Sequence, residues 1–148
     1  MYDVFVAELR CPTCGQLAPT DALTAMQTHL RADADGAALA IGFAFDPRDL
    51  TTRSLLDSDY ALISEPADGE PIRLLEVWLC PTGGTEEWAL VTIASGVLAS
   101  IEAVVLTRAV LARASFISET NAELLARALA GGDLGGRPPV DVLRARLP

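Results

Sequence analysis

Three predicted β-strands follow one another in residues 72–106, which read IRLLEVWLCPTGGTEEWALVTIASGVLASIEAVVL. Apolar and polar residues alternate along much of this stretch, as expected for strands of a sheet with one buried face. Ser95-Gly96 separates the second strand from the third, and such a pair is typical of a tight hairpin turn. The pattern therefore predicts strands at 72–79, 87–94 and 97–106 that pair as antiparallel neighbours.

Further strands are predicted on the N-terminal side of this region. Within residues 24–30 the alternation favours a strand, and a helix that begins after Thr20 is the alternative. Thr51 or Thr52 is positioned to cap a short helix that runs through Leu56. Apolar, β-branched and aromatic residues between turn signals predict strands at 2–10, 24–30, 39–45 and 60–63.

After residue 106 the pattern changes to the repeat of helices. One helix is predicted at 107–114, and a second at 119–130, with Ser118 as its N-cap and Gly131 just past its end. The second helix is expected to pack on the sheet, and a helical dimer contact is the alternative.

Glycine and proline crowd the residues that follow the second helix. Residues 131–139 are therefore predicted to be a flexible linker, and 140–147 a short helix or a frayed tail. The fold class expected is α+β, with a mostly antiparallel sheet followed by C-terminal helices. Residues 1–130 are predicted to form the single domain, and 131–148 the linker and a short C-terminal segment.

Composition excludes several classes of function. The chain has 148 residues and a net charge of −9 at pH 7, and all 11 basic residues are arginine. Without lysine, the chain has neither a Schiff-base nucleophile nor the lysine of a phosphate-binding P-loop. The acidic balance disfavours nucleic acid, which is bound by basic surfaces, and favours solubility or a basic protein surface as partner.

The sequence shows neither a signal peptide nor a membrane span. Asp3 and Glu8 interrupt the first apolar residues, and Glu102 and Arg108 interrupt the most apolar window, residues 88–111. The alanine, leucine and arginine richness is typical of a GC-rich bacterial genome. Three cysteines, an odd number, indicate metal or thiol chemistry in a reducing compartment, so a cytoplasmic protein is expected.

The three cysteines occur in two copies of one short pattern. Residues 9–15 read LRCPTCG and residues 79–84 read LCPTGG, with Gly83 where the second cysteine of the pattern would stand. Each copy follows a predicted strand. Two cysteines separated by two residues on a hairpin turn can direct both sulfurs at one metal ion, while proline fixes the turn and glycine permits a positive φ.

This pattern resembles the turns of zinc-ribbon proteins, also called rubredoxin knuckles. The resemblance covers the two turns and their flanking strands, roughly a quarter of the chain. It implies two facing hairpin knuckles, at 9–15 and 79–84, around a structural zinc site that often serves protein or nucleic-acid contacts. The zinc ligands would be Cys11, Cys14 and Cys80, and His29, the only histidine, is the candidate for the fourth.

Several interpretations of the incomplete ligand set stay open. His29 completes a Cys₃His site, or water occupies the fourth position as in catalytic zinc centres. Alternatively, the metal has been lost and the cysteines pack as small apolar residues. Cys11 and Cys14 also have the spacing of a redox dithiol, although such motifs usually begin a helix and this one ends a strand.

No catalytic or cofactor-binding residue is predicted from the remaining sequence. Trp78 and Trp88 flank the second copy of the pattern and are interpreted as packing residues rather than a binding surface. Acidic pairs beside turn signals are interpreted as solvated loop residues: Asp33 and Asp35, Asp57 and Asp59, and Glu86 and Glu87.

The function predicted is a non-enzymatic protein-interaction or assembly module built on a degenerate zinc-ribbon core. Its cofactor would be structural zinc, where the metal is retained, and its partner an unidentified protein. The alternative is a metal- or thiol-dependent enzyme or redox protein that uses Cys11, Cys14 and Cys80. Binding to membranes or nucleic acid is not expected, and a homodimer stays open.

Overall fold

The computed structural model describes residues 2–20 and 26–148. In these residues the chain forms an α+β fold with mostly antiparallel sheets, and none of its helices is long and apolar enough to cross a membrane. The strands are β1 (Asp3–Phe5), β2 (Glu8–Arg10), β3 (Leu17–Pro19), β4 (Met26–Thr28), β5 (Ala38–Leu39), β6 (Tyr60–Leu62), β7 (Ile72–Leu79), β8 (Glu86–Ala94), β9 (Val97–Val104) and β10 (Phe116–Ser118). The helices are α1 (Thr52–Asp57), α2 (Arg108–Arg113), α3 (Glu119–Leu129) and α4 (Pro139–Arg146), with a 3₁₀ turn at Pro47–Leu50.

A five-stranded sheet with the order β6-β10-β7-β8-β9 forms the centre of the molecule. Strands β7, β8 and β9 pair as antiparallel neighbours, which confirms the three strands predicted from residues 72–106. Strand β8 begins one residue earlier than predicted, and β9 ends two residues earlier. Ser95 and Gly96 both have positive φ, 52° and 78°, as the tight turn between β8 and β9 requires.

Strand β10 was not predicted. Its three residues pair antiparallel with β6, and the first two also pair parallel with β7, so β10 lies between them in the sheet. A three-residue strand between two helices has too little sequence to show a two-residue period. Ser118 precedes α3 as predicted, but its hydroxyl does not cap the helix; it accepts a hydrogen bond from the Asn121 side chain.

The predicted strand 2–10 is in fact two strands that belong to different sheets. Strand β1 pairs with β4 and β5, whereas β2 pairs with β3, a strand that was not predicted. The chain changes partner at Ala7, whose N–H donates to Thr20 Oγ1 at 2.7 Å and whose carbonyl accepts from the Thr20 N–H at 2.8 Å. In 24–30 the strand is confirmed at Met26–Thr28, and the alternative helix start falls at residues 21–25, outside the described residues.

Residues 39–45 were predicted to form one strand, but they do not form a continuous strand in the structure. Strand β5 ends at Leu39, and Gly42 has a φ of 98°, which turns the chain away from β5. The following residues run beside the start of β9, where the Phe45 N–H donates to the Gly96 carbonyl at 2.8 Å. The short helix α1 is confirmed, with Thr51 as its cap: Thr51 Oγ1 accepts from the Ser54 N–H at 3.1 Å.

Both faces of the central sheet are covered, rather than the one face predicted. On one face Leu74, Trp78 and Val91 pack in a core with residues of the N-terminal strands, including Phe5 and Met26. The other face carries a second core with the helices, which includes Leu75, Leu90, Ala122, Ala126, Val140, Val142, Leu143 and Leu147. Residues 139–146 therefore form a helix with one buried side, and the second core extends beyond residue 130.

Two networks of hydrogen bonds involve buried polar side chains of the strands. Asp3, fully buried, accepts two hydrogen bonds of 2.7 Å from the Arg31 guanidinium and one of 2.9 Å from the Ala37 N–H. In the second network, Tyr60 donates to the buried carboxyl of Glu76, and the Tyr60 and Thr28 hydroxyls are 2.8 Å apart.

Candidate metal centre

The two cysteine-containing turns have the same backbone structure. In the first turn, residues 11–16, the Cys11 N–H donates to the Gln16 carbonyl at 2.9 Å. In the second turn, residues 80–85, the Cys80 N–H donates to the Thr85 carbonyl at 2.9 Å. In each, the N–H of the residue four positions after the first cysteine donates to that cysteine's carbonyl, at 2.9 and 2.8 Å.

A glycine with positive φ closes each turn. The φ angle is 76° at Gly15 and 69° at Gly84, a region of backbone conformation that glycine enters without steric cost. The repeated sequence pattern is therefore a repeated structure. Strands β2 and β3 flank the first turn, and β7 and β8 flank the second.

The fold brings the three thiols of the two turns together. The sulfur atoms of Cys11, Cys14 and Cys80 all lie within 4.8 Å of one another, and those of Cys14 and Cys80 are 3.6 Å apart. Cys11 and Cys80 are buried, whereas Cys14 lies at the surface. The sequence separation between Cys14 and Cys80 is 66 residues, so tertiary packing of the first hairpin against the sheet creates this cluster.

Glu87 is the carboxylate beside the cluster, and its position corrects the prediction of a solvated acid. Its side chain is on β8, and the residue is only 8% exposed. Glu87 Oε1 accepts hydrogen bonds from Thr13 Oγ1 at 2.6 Å, from Thr85 Oγ1 at 2.8 Å and from the Cys11 thiol at 3.3 Å. One carboxylate oxygen therefore links the two turns.

The surroundings shift the pKa values of the two buried thiols, Cys11 and Cys80, in opposite directions. Burial raises the pKa of Cys11, and the nearby Cys80 and Glu87 raise it further, since each disfavours a negative charge on Cys11. The Gly83 N–H, 3.5 Å from Cys80 Sγ, lowers the pKa of Cys80 because it stabilises the thiolate. Burial acts to raise the pKa of Glu87, but the hydrogen bonds from Thr13, Thr85 and Cys11 outweigh burial and lower it.

Gly83 occupies the place in the second turn that Cys14 occupies in the first. A Cβ atom built at Gly83 would lie 3.9 Å from Cys14 Cβ and 3.8 Å from Thr85 Oγ1, both ordinary van der Waals distances. Gly83 is exposed, and its φ is not positive. The fourth corner of the cluster is therefore open at the surface.

The structure does not bring His29 to the cluster. His29 is exposed and lies edge-on to Tyr2, with ring centroids 6.2 Å apart. Among the described residues, the only group with metal-ligand spacing consists of Cys11, Cys14 and Cys80.

The two tryptophans and the acids other than Glu87 lie where the sequence predicted. Trp78 is 1% exposed and lies in the first core, and Trp88 packs against the second, as interpreted from the sequence. The acids Asp33, Asp35, Asp57, Asp59 and Glu86 are exposed, as predicted.

The role of Glu87 was missed, although the sequence contains a signal for it. In the two-residue period of β8, Glu87 falls on the same face as Ala89, Val91 and Ile93, which all lie in the first core. A carboxylate that continues a buried face needs hydrogen-bond partners, and the threonines of the two turns supply them.

Comparison of this chain with protein-family models, with curated proteins and with solved structures gave no match. The site is therefore interpreted from its own chemistry. Three thiols suit a soft or borderline metal ion such as zinc.

Proposed function

We propose that this protein is a non-enzymatic protein-interaction module. A structural zinc ion would stabilise the region of the two cysteine-containing turns, where the partner would bind. The zinc would bind the thiolates of Cys11, Cys14 and Cys80, held in two zinc-ribbon-like knuckles. The observation that carries the proposal is the convergence of three sulfurs, from two turns with the same backbone hydrogen bonds, to within 4.8 Å.

The sulfur spacing fits a tetrahedral zinc ion. With a Zn–S bond of about 2.3 Å, two sulfurs at the tetrahedral angle are about 3.8 Å apart. The Cys14 and Cys80 sulfurs are 3.6 Å apart, so metal binding requires little movement of this pair.

A zinc ion here would fasten the β2–β3 hairpin to the central sheet. Cys11 and Cys14 belong to the hairpin, and Cys80 follows β7 of the sheet. Because the folded state binds the ion and the unfolded state does not hold the ligands together, zinc stabilises the fold by about 2.7 kcal/mol at a hundredfold excess over its Kd. The ion would thereby hold rigid a part of the fold made of three-residue strands.

Two apolar side chains next to the turns are proposed contacts of a protein partner. Leu17, which follows the first turn, is 53% exposed, and Leu79, which precedes the second, is 39% exposed. Burying them against a partner would remove apolar surface from water. The chain's net charge of −9 favours a partner whose surface is basic around its apolar patch.

The metal centre is tested by elemental analysis, which measures the zinc content of protein purified under reducing conditions. We expect one zinc per chain in the wild type and its loss in Cys80→Ser. Thr82→Ala is the matched control, because Thr82 is in the same turn and is exposed. A wild-type protein that binds no zinc in a chelator competition titration would refute the centre.

The interaction surface is tested by affinity capture with variants. A specific partner should be lost with the double variant Leu17→Glu and Leu79→Glu. Leu124→Glu is the control, since Leu124 is 63% exposed but lies on α3. Equal loss or equal retention of the partner in both proteins would contradict the assignment of this surface.

A thiol-redox protein is the second candidate, and the 3.6 Å between the Cys14 and Cys80 sulfurs favours it. A hydroperoxide would oxidise the Cys14 thiol to a sulfenic acid, and Cys80 would displace water to form the disulfide. Peptide mapping after peroxide treatment separates the candidates. A rapid Cys14–Cys80 disulfide in protein kept at saturating zinc supports redox chemistry, whereas protection by zinc supports the structural site.

A further inference from the structure

We infer that the fourth position of the metal centre, beside Gly83, takes the imidazole of a histidine supplied by a second molecule. This inference rests on the metal centre proposed above. The metal centre would then bind a partner directly, in addition to stabilising the contact between the β2–β3 hairpin and the sheet.

The position of the open corner follows from the repeated turn. The first turn contributes its first and fourth residues, Cys11 and Cys14, to the cluster, and the second turn contributes its first, Cys80. Its fourth residue is Gly83, which has no side chain, and the Cβ it lacks would face Cys14 Cβ at 3.9 Å. Gly83 and Cys14 are both exposed, so a donor can approach this corner from solvent.

Neither Glu87 nor His29 fills this corner. Glu87 is held by the hydroxyls of Thr13 and Thr85, and it is not among the groups that share the 4.8 Å spacing of the sulfurs. His29 belongs to a different part of the surface, beside Tyr2. Within the described residues no side chain fills the fourth position, so it is left to water or to a donor from a second molecule that displaces water.

Charge favours imidazole over a fourth thiolate from a second molecule. A zinc ion with three thiolates has a net charge of −1, and the Glu87 carboxylate lies 3.3 Å from the Cys11 sulfur. A fourth thiolate would add another negative charge to this site, in a chain whose net charge is already −9. Imidazole is neutral when it binds a metal, and Cys₃His is an established set of ligands for structural zinc.

The experiment uses the full-length protein loaded with Co²⁺, whose visible bands report the ligands of a tetrahedral site. Titration with free imidazole should shift the bands of the wild type and saturate at one imidazole per cobalt. Gly83→Cys should supply its own fourth thiolate, give stronger sulfur-to-cobalt charge transfer and abolish the response. Gly83→Ala, which adds a Cβ at ordinary contact distances but no donor, should keep it.

Each outcome bears on one part of the argument. A wild type that binds neither cobalt nor zinc refutes the metal centre itself. Metal binding with no response to imidazole, or a response to 2-mercaptoethanol alone, overturns the inference and leaves the centre intact. An imidazole response in Glu87→Gln but not in the wild type also overturns it, since Glu87 would then be the fourth ligand.

The source of the imidazole is distinguished without added ligand. If a second copy of this chain supplies it, cobalt bands of the imidazole-bound type should grow with protein concentration, together with dimer in sedimentation, and His29→Ala should abolish both. If another protein supplies it, the wild type and His29→Ala should have the same spectrum at every concentration. A histidine-containing peptide, with an alanine-substituted peptide as control, should then reproduce the band shift.

Discussion

Replacing Glu87 with Gln tests whether one carboxylate links the two turns. The side chain keeps its size, but the hydrogen bonds from Thr13 and Thr85 lose their charge assistance. A hydrogen bond to a charged group contributes about 1.5–3 kcal/mol and a neutral one about 0.5–1.5 kcal/mol, so two bonds lose about 2 kcal/mol together. For a chain of this size that is a fall in Tm of about 4–8 °C.

The assay is urea unfolding of reduced protein in the presence of a chelator, so that metal makes no contribution. We expect a lower midpoint with an unchanged m-value, which reports a change in stability rather than in exposed surface. Glu86→Gln is the matched control, because Glu86 is the neighbouring residue on β8 and is exposed; its effect should stay within about 0.5 kcal/mol.

Two results would refute the reasoning. If both variants unfold like the wild type, the negative charge of Glu87 does not strengthen the hydrogen bonds that join the hairpin to the sheet. If Glu87→Gln is more stable than the wild type, the cost of burying the charge exceeds what its hydrogen bonds return.

The remaining predictions concern the buried polar networks. Asp3→Asn should cost about 1.5–3 kcal/mol, because it removes the charge from a partly buried ion pair with Arg31, whereas Asp35→Asn, at the exposed end of the same guanidinium, should cost less than about 1 kcal/mol; urea unfolding compares them. The Arg31 hydrogen bond lowers the pKa of Asp3, so its contribution is lost as pH falls through the folded-state pKa, and acid unfolding should be less steep in Asp3→Asn. Burial raises the pKa of Glu76 to about 8, so the folded state keeps a proton that the unfolded chain releases, and stability should fall as pH rises from about 4.5 to about 8. Glu76→Gln should remove that decline in thermal unfolding measured across this range.

Local signals predicted the elements that depend on few long-range contacts. The hairpin at Ser95-Gly96 needs positive φ at two adjacent residues, and the sequence at the turn shows it directly. Thr51 and Thr107 cap α1 and α2 with their own hydroxyls, so the helix starts are encoded within a few residues.

The missed elements depend on distant partners. Strands β3 and β10 have three residues each and exist because β2, β6 and β7 pair with them. The division of 2–10 depends on Ala7 and Thr20, which are 13 residues apart. No periodicity within such segments indicates these partners.

The candidate site was predicted as far as its covalent pattern repeats. The cysteines were found because both turns share the same letters, and the same letters form the same backbone. Glu87 was missed because an acid beside a turn was interpreted by its neighbours in sequence instead of by the strand face it continues. His29 was considered as the only histidine, and nothing in its spacing related it to either turn.

The place of β10 in the sheet affects how the protein can be made. Strand β6 does not pair with β7; β10, which comes more than 50 residues after β6, lies between them. During synthesis the ribosome must therefore release residues 116–118 before the sheet can close, and until then one edge of β7 has no strand beside it. An unpaired strand edge is a template for pairing with another chain, so the incomplete sheet is prone to aggregate in that interval.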